Sequence, residues 1–325
     1  MERISLANLP TPINKLDRMS AEHGVELWIK RDDYTGSELS GNKIRKLEYL
    51  AADALKKGCN HLITCGGIQS NHARATAVVA ARLGIGATLV LRGTADGSHE
   101  GNPFFGAMVG ANIVFITPED YRSRRMEIME NIASELRTKG VNPYIIPEGA
   151  SNAIGSLGYF NAYEEILKQE EELGIKFDRI VTTVGSGGTF AGLLYGNLLH
   201  GGPMRVKGIN ICDDAEYFCP IVSQLTVELD SIFGKKLAIG ADEVPLIDGY
   251  GGLGYAISRP EELKFITHVA RSEGIVLDPV YTGKAFYGLL SEISKGKFKD
   301  EKILFIHTGG IMGYDVAQRS QIENL

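Results

Sequence analysis

The amino-acid sequence predicts an α/β protein with two open parallel-sheet domains. Short β-rich runs alternate with amphipathic helical runs along the 325 residues, a pattern typical of parallel sheets covered by helices. The strand–helix units are too numerous for one compact sheet. The block 46–155 carries a four-strand pattern of its own. We therefore expect a small domain at 46–155 and a discontinuous large domain made of 1–45 and 156–325.

The predicted strands are eight short runs of strand-like composition. They cover residues 26–31, 61–65, 87–91, 112–117, 143–146, 179–184, 205–211 and 303–307. Ligand sites in such folds lie outside the carboxyl ends of the strands, in the crevice between domains. Residues that directly follow a predicted strand are therefore the first candidates for a functional site.

The predicted helices are six runs with apolar residues at helical spacing. They cover residues 43–57, 71–83, 121–138, 190–199, 260–272 and 284–293. In the first of them, Leu47, Leu50, Ala51 and Leu55 fall on one face. An apolar face of this kind is what a helix that covers a sheet requires.

Composition and charge argue against several classes of function. The net charge of −6 disfavours nucleic acid or an anionic membrane as the main partner. No stretch approaches ~20 uninterrupted apolar residues, so no membrane-spanning segment is predicted. The first residues lack the basic flank and apolar core of a signal peptide, and a cytoplasmic protein is therefore expected.

The cysteines are predicted to be reduced structural thiols. Cys59, Cys65, Cys212 and Cys219 are too few and too scattered for a disulfide framework, and no Cys-x-x-Cys pair is present. Reduced thiols are the usual state in the cytosol. No metal site is predicted.

Lys43 stands at the start of a predicted helix, directly after Ser40-Gly41-Asn42. The positive end of a helix disfavours a cation, so this placement is expected to lower the pKa of the amine. Imine chemistry with an aldehyde requires such a lysine. A solvated helix start is the alternative, and the segment taken alone favours that alternative. Lys46 lies almost one turn further on, where a lysine either reaches a phosphate or lies on the surface.

The run Cys65-Gly66-Gly67-Ile68-Gln69-Ser70-Asn71-His72 follows a predicted strand. Ser70 and Asn71 stand where an N-cap belongs, and the free amides of a helix start bind anions such as carboxylates. The alternative is that Ser70 simply caps its helix. His72 is interpreted as structural.

The run Val184-Gly185-Ser186-Gly187-Gly188-Thr189-Phe190 joins a β-branched strand to an apolar helix. Small residues allow the backbone to wrap an anion, with the following helix dipole aligned to it. Phe190 replaces the third glycine of a dinucleotide-binding loop, and the Gly-Lys-Ser/Thr of a Walker loop is absent. The run therefore predicts a cup for a monophosphate, with a plain strand-to-helix turn as the alternative.

Two further runs place hydroxyl residues beside glycine: Asp278-Pro279-Val280-Tyr281-Thr282-Gly283-Lys284 and His307-Thr308-Gly309-Gly310. Each of them alone predicts a turn and no more. Taken together and in this order, however, the five runs resemble the fold-type II pyridoxal-phosphate enzymes. The specific resemblance is to the D-cysteine desulfhydrase and 1-aminocyclopropane-1-carboxylate deaminase family. It extends from Leu9-Pro10-Thr11-Pro12, through Lys30-Arg31-Asp32-Asp33, to Gly310, and so covers nearly the whole chain.

The resemblance implies a cofactor, pyridoxal 5'-phosphate, and a role for each candidate residue. Lys43 would form the Schiff base, Asn71 would contact the ring hydroxyl and Ser70 would hold the substrate carboxylate. Tyr255 and Tyr281 match the two active-site tyrosines of the family, although the surroundings of Tyr255 differ. The phosphate cup, with Lys46 nearby, would be Gly185, Ser186, Gly187, Gly188 and Thr189. Family members are usually homodimers that act on small amino acids, and the same is expected here.

Two positions bear on which branch of the family the chain resembles. The deaminase branch has Glu and Leu where this chain has Thr282 and Thr308. A carboxylate beside the pyridine nitrogen keeps the ring protonated and makes it a strong electron sink, which the opening of a cyclopropane should require. A hydroxyl leaves the nitrogen largely neutral, which suffices when a β-substituent departs with the electrons. The two threonines therefore favour β-elimination.

The resulting hypothesis is conversion of D-cysteine to pyruvate, ammonia and hydrogen sulfide, with Lys43 as the first candidate for the base and Tyr281 as the second. Elimination from β-chloroalanine or cysteate is a close alternative, and ring-opening deamination of the cyclopropane is another. An oxidoreductase that uses the Gly185 loop with Asp213 as ribose ligand, and a pseudoenzyme that senses amino acids, are alternatives from other classes.

Overall fold

The computed structural model describes residues 1–94 and 100–325, in which two sheets are each flanked by helices. The strands, in chain order, are β1 (Ile13–Lys15), β2 (Glu26–Lys30), β3 (His61–Gly67), β4 (Gly86–Arg92), β5 (Asn112–Ile116), β6 (Pro143–Ile146), β7 (Arg179–Val184), β8 (Val206–Asn210), β9 (Leu246–Ile247) and β10 (Lys302–Ile306). The larger sheet has the order β1-β2-β10-β7-β8-β9, and the smaller has the order β5-β4-β3-β6. Only β1, at an edge of the larger sheet, runs antiparallel to its neighbour in the described part of the chain.

The helices cover both sheets. In chain order they are α1 (Asp17–His23), α2 (Lys43–Lys56), α3 (Asn71–Arg82), α4 (Asn102–Met108), α5 (Pro118–Ser123), α6 (Arg125–Thr138), α7 (Ala153–Leu173), α8 (Gly188–His200), α9 (Ala215–Phe233), α10 (Pro260–Glu273), α11 (Thr282–Ser294) and α12 (Val316–Glu323). Short 3-10 turns lie between several of them. Among the described helices, none is long and apolar enough to cross a membrane.

The two parallel sheets confirm the predicted fold class, and all eight predicted strands are present with bounds shifted by at most two residues. The predicted helix at 121–138 is wrong in one respect, because Arg124 leaves helical geometry (φ −129°) and divides it into α5 and α6. The smaller sheet is built from 61–146 and the larger from 13–30 and 179–306. The exact domain boundaries, after 45 and after 155, stay a prediction.

Two of the longest helices, α7 and α9, were not predicted. Pro220 lies inside α9 and weakens its helical pattern. In α7, glycine serves close packing: a Cβ added to Gly158 would lie 2.3 Å from the carbonyl oxygen of Arg45 in α2. The sequence pattern presents such a glycine as a helix breaker, whereas the structure uses it to bring α7 against α2.

The larger sheet has an apolar core on each face. Leu27, Phe286 and Phe305 belong to one core, which α10 and α11 complete. Tyr163 and Phe190 belong to the other, under α7, α8 and α9. The carboxyl ends of β3, β7 and β10 face one crevice between the sheets, and the candidate residues that follow these strands meet there.

Candidate active site

A cavity of about 480 Å³ lies in the crevice between the two sheets. Ten of the predicted site residues line its wall, which joins segments far apart in the sequence. These ten are Lys43, Ser70, Asn71, Gly185, Ser186, Gly187, Thr189, Tyr255, Tyr281 and Thr308. Lys46, Gly188 and Thr282 do not line it.

Lys43 begins α2 and directs an amine into the cavity. Its Nζ has no hydrogen-bond or ion-pair partner among the described residues. Burial lowers the pKa of the amine to about 8, against the opposing charge of Glu148. The uncharged fraction of this amine near neutral pH is therefore far larger than that of a solvated lysine, and the uncharged form is the one that attacks an aldehyde.

The loop between β7 and α8 forms a glycine-rich turn against the cavity. Gly187 has a φ of +84°, a conformation that favours glycine. The hydroxyls of Ser186 and Ser151 lie 2.9 Å apart, and the Gly188 N–H donates to Ser151 Oγ at 3.2 Å. The other amides of this turn and of the start of α8 form a cup suited to an anion.

Lys46 lies behind the glycine-rich turn. Its fully buried Nζ donates to the carbonyl oxygen of Gly149 at 2.6 Å and to Ser151 Oγ at 3.1 Å. Burial, together with the charge of Lys43, lowers the pKa of this amine. A Cβ on Gly188 would lie 2.7 Å from Lys46 Nζ, so Gly188 is also part of this second layer. The surface-lysine alternative is therefore wrong.

The start of α3 presents Ser70 and Asn71 to the cavity. Ser70 Oγ accepts the Ala73 N–H at 3.2 Å, so Ser70 does cap the helix. Asn71 Oδ1 accepts from Asn102 Nδ2 at 3.1 Å, which leaves the Asn71 amide nitrogen free to donate elsewhere.

His72 also lines the cavity, where the sequence predicted only a structural residue. Its Nε2 lies 2.7 Å from Thr64 Oγ1. Burial, assisted by the charges of Lys43 and Lys46, holds the pKa of His72 well below its usual range. The imidazole is therefore neutral at physiological pH and adds no charge to the cavity.

Tyr255 and Tyr281 form a pair, with their hydroxyl oxygens 2.7 Å apart and their rings edge to face. A Cβ on Gly67 would lie 2.5 Å from the ring of Tyr255, so glycine is required where this ring lies on β3. On its other side, the guanidinium of Arg92 is 4.9 Å from the ring centroid. Burial raises the pKa of both phenols, and both are protonated at neutral pH.

The structure separates the two threonines. Thr308 lines the cavity, and its carbonyl oxygen accepts the Asn42 N–H at 3.1 Å. Thr282 instead turns away, and its hydroxyl donates to Asp278 Oδ1 at 2.6 Å. Asp278 also accepts three backbone N–H groups at the start of α11, from Val280, Tyr281 and Thr282. The structure thus brings Thr308 but not Thr282 to the cavity wall.

Sequence reasoning missed several residues that shape the site, among them Arg92 and Ser151 on the cavity wall, Asn102, which contacts Asn71, and Arg74, which contacts Asn102. Ser151 precedes α7, and recognition of that helix would have marked it as part of a strand-to-helix junction. Arg92 ends β4 and directly follows the predicted strand at 87–91. Arg74 and Asn102 carry no signal in the sequence, because their partners come from separate segments.

Comparison with known proteins places this geometry in a family. Residues 4–309 match the family described as pyridoxal-phosphate dependent enzyme. The bifunctional D-cysteine desulfhydrase/1-aminocyclopropane-1-carboxylate deaminase, mitochondrial, of Arabidopsis thaliana is 45% identical, over 96% of this chain and 79% of the relative. A putative 1-aminocyclopropane-1-carboxylate deaminase of Pyrococcus abyssi is 42% identical, over 96% of this chain and 92% of the relative.

Solved structures agree with the sequence comparison. The crystal structure of an ACC deaminase homologue superposes with a TM-score of 0.89 at 40% identity, covering 100% of this chain and 96% of the other. An O-ureido-L-serine synthase superposes with a TM-score of 0.68 at 17% identity, covering 95% and 92% of the two chains, and shares the fold.

The cavity fits pyridoxal phosphate in its donor groups. The unpartnered amine of Lys43 suits the aldehyde, and the amides of the glycine-rich turn suit the phosphate. The free N–H of Asn71 suits the ring oxygen. These residues would hold the cofactor, and the electron-withdrawing chemistry would be the cofactor's own.

Proposed function

Since the chain belongs to the family of pyridoxal-phosphate dependent enzymes, we propose that it is a carbon–sulfur lyase that converts D-cysteine to pyruvate, ammonia and hydrogen sulfide. The observation that carries the proposal is the hydroxyl residue Thr308 on the cavity wall after β10. The relative from Arabidopsis thaliana is named for both desulfhydration and deamination. The choice between the two reactions therefore rests on this chain's own residues.

The acidic groups of the cavity support elimination. Among the described residues that line it, the carboxylates are Glu148, after β6, and Asp213, after β8. Neither follows β10, where Thr308 stands. Asp278 lies behind the wall with its oxygens already bound to four donors. A ring nitrogen beside Thr308 would meet a hydroxyl and stay largely neutral, which suffices when the leaving group accepts the electrons.

Lys43 is the proposed base for the α-proton, with Tyr281 as the second candidate. A positioned group that moves a proton contributes typically ~10²–10⁴-fold to the rate. The pKa of about 8 makes the Lys43 amine a suitable acceptor near neutral pH. Tyr281, whose pKa is raised by burial, is better suited to holding a proton than to removing one.

Ser70 and the start of α3 are proposed to bind the substrate carboxylate. In the reaction, the Cα–H and Cβ–S bonds break and a Cα=Cβ bond forms. The α-proton goes to the base, and the Cβ–S electron pair leaves with sulfur as a thiolate. Addition of water to the released enamine then gives pyruvate and ammonia.

Arg92 favours a second candidate substrate, an amino acid with an anionic β-substituent such as cysteate. Of the described residues, Arg92 and Arg125 bring guanidinium groups to the cavity wall, and Arg125 lies 3.9 Å from Glu148. Arg92 instead stacks on Tyr255 at 4.9 Å and on Tyr121 at 5.4 Å. Its charge suits a sulfonate as well as a departing thiolate. β-Chloroalanine, with chloride as leaving group, would react by the same steps.

The deciding experiment gives purified wild type D-cysteine, L-cysteine, cysteate and aminocyclopropane carboxylate separately, and follows keto-acid, sulfide and sulfite release. We expect sulfide and pyruvate from D-cysteine. Lys43→Ala should abolish the activity, because it removes the amine that would hold the cofactor. Lys56→Ala, at an exposed lysine of the same helix, should retain it.

Ketobutyrate from the cyclopropane would overturn the proposal, because it would mean that Thr308 supports ring opening. Sulfite from cysteate, without sulfide from D-cysteine, would select the second candidate. Faster turnover of L-cysteine would correct the stereochemical preference alone.

We also propose that the protein is a homodimer and acts in the cytoplasm, as the resemblance implies. Light scattering coupled to size-exclusion chromatography of the holoenzyme would measure the assembly. A mass equal to one chain of 35.3 kDa would contradict it.

A further inference from the structure

Arg74, in the first turn of α3, is a buried cation with no carboxylate partner in the part of the chain that the structure describes. Its side chain is 1% exposed. The three hydrogen-bond acceptors it has among the described residues are neutral oxygens: Asn102 Oδ1 at 2.7 Å, the Ser40 carbonyl at 2.8 Å and the Glu38 carbonyl. Burying a guanidinium costs free energy unless the charge is paired and hydrogen-bonded. A buried arginine with only neutral acceptors points to a role beyond packing.

A guanidinium only donates, and this fixes the orientation of Asn102. Because Arg74 Nε donates to it, the Asn102 atom at 2.7 Å must be the oxygen. The amide nitrogen of Asn102 must then face the other way, where it donates to the Gln69 carbonyl at 3.0 Å and to Asn71 Oδ1 at 3.1 Å. Asn102 is 2% exposed, so water does not compete for these bonds.

The orientation of Asn71 follows from that of Asn102. Its oxygen is held by Asn102 Nδ2, so its own amide nitrogen must point away, and Asn71 lines the cavity. The side chain of Asn71 thus presents an N–H donor to any group bound there. An isolated asparagine at this position would have two orientations, and only one of them donates.

Arg74 also holds the segment that leads to Lys43. Its Nη2 donates to the Ser40 carbonyl, three residues before Lys43. The guanidinium of Arg74 therefore contacts Ser40, in the segment before Lys43, and Asn102, the residue that orients Asn71. The chain of hydrogen bonds from Arg74 through Asn102 to Asn71 is called the relay below. Lys43 and Asn71 come from different helices, and Arg74 joins them through buried hydrogen bonds.

We propose that Arg74 and Asn102 are positioning residues that fix Asn71 as a hydrogen-bond donor to the ring oxygen of the cofactor. The inference rests on the proposed role of Asn71 and is independent of which amino acid is the substrate. A fixed N–H stabilises the ionised ring oxygen, because hydrogen bonds to a charged form favour that form. The relay thus sets the ionisation of the bound cofactor before substrate arrives.

The decisive variant is Asn102→Asp, which keeps the size of the side chain and its acceptor for Arg74. An aspartate cannot donate to Asn71, so Asn71 must turn its nitrogen toward position 102 and its oxygen toward the cofactor. We expect the pH midpoint of the visible absorbance of the bound cofactor to rise by about 1–2 units. Asn102→Ala should shift it less, since Asn71 then remains free to donate. A merely structural role predicts the reverse order, because alanine leaves a void.

The charge of the new aspartate is separated from the orientation of Asn71 by a double variant. In Asn71→Ala, the Asn102→Asp change can act only through its charge. We expect that adding Asn102→Asp to Asn71→Ala causes no further shift of the pH midpoint. The ionisable groups around the site are the same in every variant: Lys43, Lys46, His72, Arg74, Arg92, Arg125, Glu148, Cys212, Asp213, Tyr217, Tyr255 and Tyr281.

The matched control is Asn197→Asp, at another asparagine that is 2% exposed. Its oxygen accepts the Arg205 N–H at 2.9 Å, and its nitrogen donates to the Pro203 carbonyl, away from the cavity. It should lose stability without moving the midpoint. An unchanged midpoint in Asn102→Asp, with a shift in Asn71→Ala, would overturn the relay. No shift in either would overturn both the relay and the role of Asn71, while the D-cysteine assay would still report the reaction separately.

Discussion

At the scale of the residue, the site depends on a lysine that has lost the solvation of its charge. Burial lowers the pKa of Lys43 to about 8, and its Nζ has no anionic partner within 1–94 and 100–325 to restore that solvation. The sequence predicts a lowered pKa from the start of the helix, whereas in the structure burial is the largest cause. Both effects act in the same direction, so the prediction that Lys43 is a reactive amine did not depend on separating them.

The rate of cofactor binding to the apoenzyme should therefore rise with pH through about 8 and then level. The amine attacks only when it is uncharged, and its uncharged fraction grows as the pH passes the pKa. Stopped-flow absorbance after mixing apoenzyme with pyridoxal phosphate measures this rate. A rate that continues to rise to pH 10 would indicate an ordinary solvated lysine.

The residues that a local pattern marked as candidates stand at the starts of helices, whereas Tyr255 and Tyr281 were assigned through the resemblance. Ser70, Gly187 and Lys43 stand at strand-to-helix junctions, and a junction is visible in a pattern of strands and helices. Arg74 and Asn102 act through segments around 38–40, 69–71 and 102, which meet only after folding. A buried hydrogen-bond relay has no spacing along the chain by which it can be recognised.

At the scale of the element, the start of α11 is organised by one carboxylate. Asp278 is completely buried, and its pKa is raised by that burial in spite of four donors. Thr282 both donates its hydroxyl to Asp278 and accepts the Asp278 N–H at 2.9 Å. This arrangement fixes the first turn of α11, and with it the neighbouring Tyr281.

Thr282→Val should destabilise the protein by about 1–3 kcal/mol, because it leaves the buried Asp278 N–H without its acceptor and removes one of the two donors to Asp278 Oδ1. Thr282→Ser, which keeps the hydroxyl, is the control and should remain near wild type. Urea unfolding of the two variants measures the difference. Equal stabilities of the valine and serine variants would show that the hydroxyl is dispensable.

The two long helices that sequence reasoning missed, α7 and α9, share a cause. Gly158 and Pro220 read as interruptions of a helix, yet one permits contact with α2 and the other is tolerated within α9. Strands were predicted well because their composition is set by burial between helices. Helix propensity is weaker information, and tertiary packing overrides it here.

At the scale of the whole molecule, a buried ionic cluster joins the regions that carry the site. Arg45 in α2 donates to Asp32 at 2.8 and 2.9 Å and to Glu165 in α7 at 2.9 and 3.0 Å. Lys30 in β2 donates to Glu165 at 2.6 Å. The helix that begins with Lys43 is thereby fastened to the larger sheet and to α7.

Asp32→Asn should cost about 3–5 kcal/mol at pH 7, because it breaks a buried ion pair. Although burial opposes ionisation, Arg45 and Lys30 hold the pKa of Asp32 below its usual range. The stabilisation is therefore present above about pH 4, the ordinary value, and is lost as the pH falls through the lower folded value. Denaturant unfolding at several pH values should show the difference from wild type shrinking in acid.

Glu127→Gln, which removes an exposed ion pair with Arg124, is the control for that series. It should leave the unfolding curve unchanged at every pH. A constant gap between Asp32→Asn and wild type down to pH 2 would mean that the cluster stabilises by packing and not by charge.

The pairing of β2 with β10 also has a consequence for how the chain folds during its synthesis. Lys30 lies beside Ile306 in that register, so the ribosome must add more than 270 residues before β2 meets its parallel neighbour. At about 5–20 residues per second, the wait is roughly 15–55 s. Throughout that time β2 lacks its parallel neighbour β10. The smaller sheet, in contrast, can already assemble from 61–146. Leu27 and Ile29, which are buried in the folded protein, therefore stay without their native packing until β10 has been made.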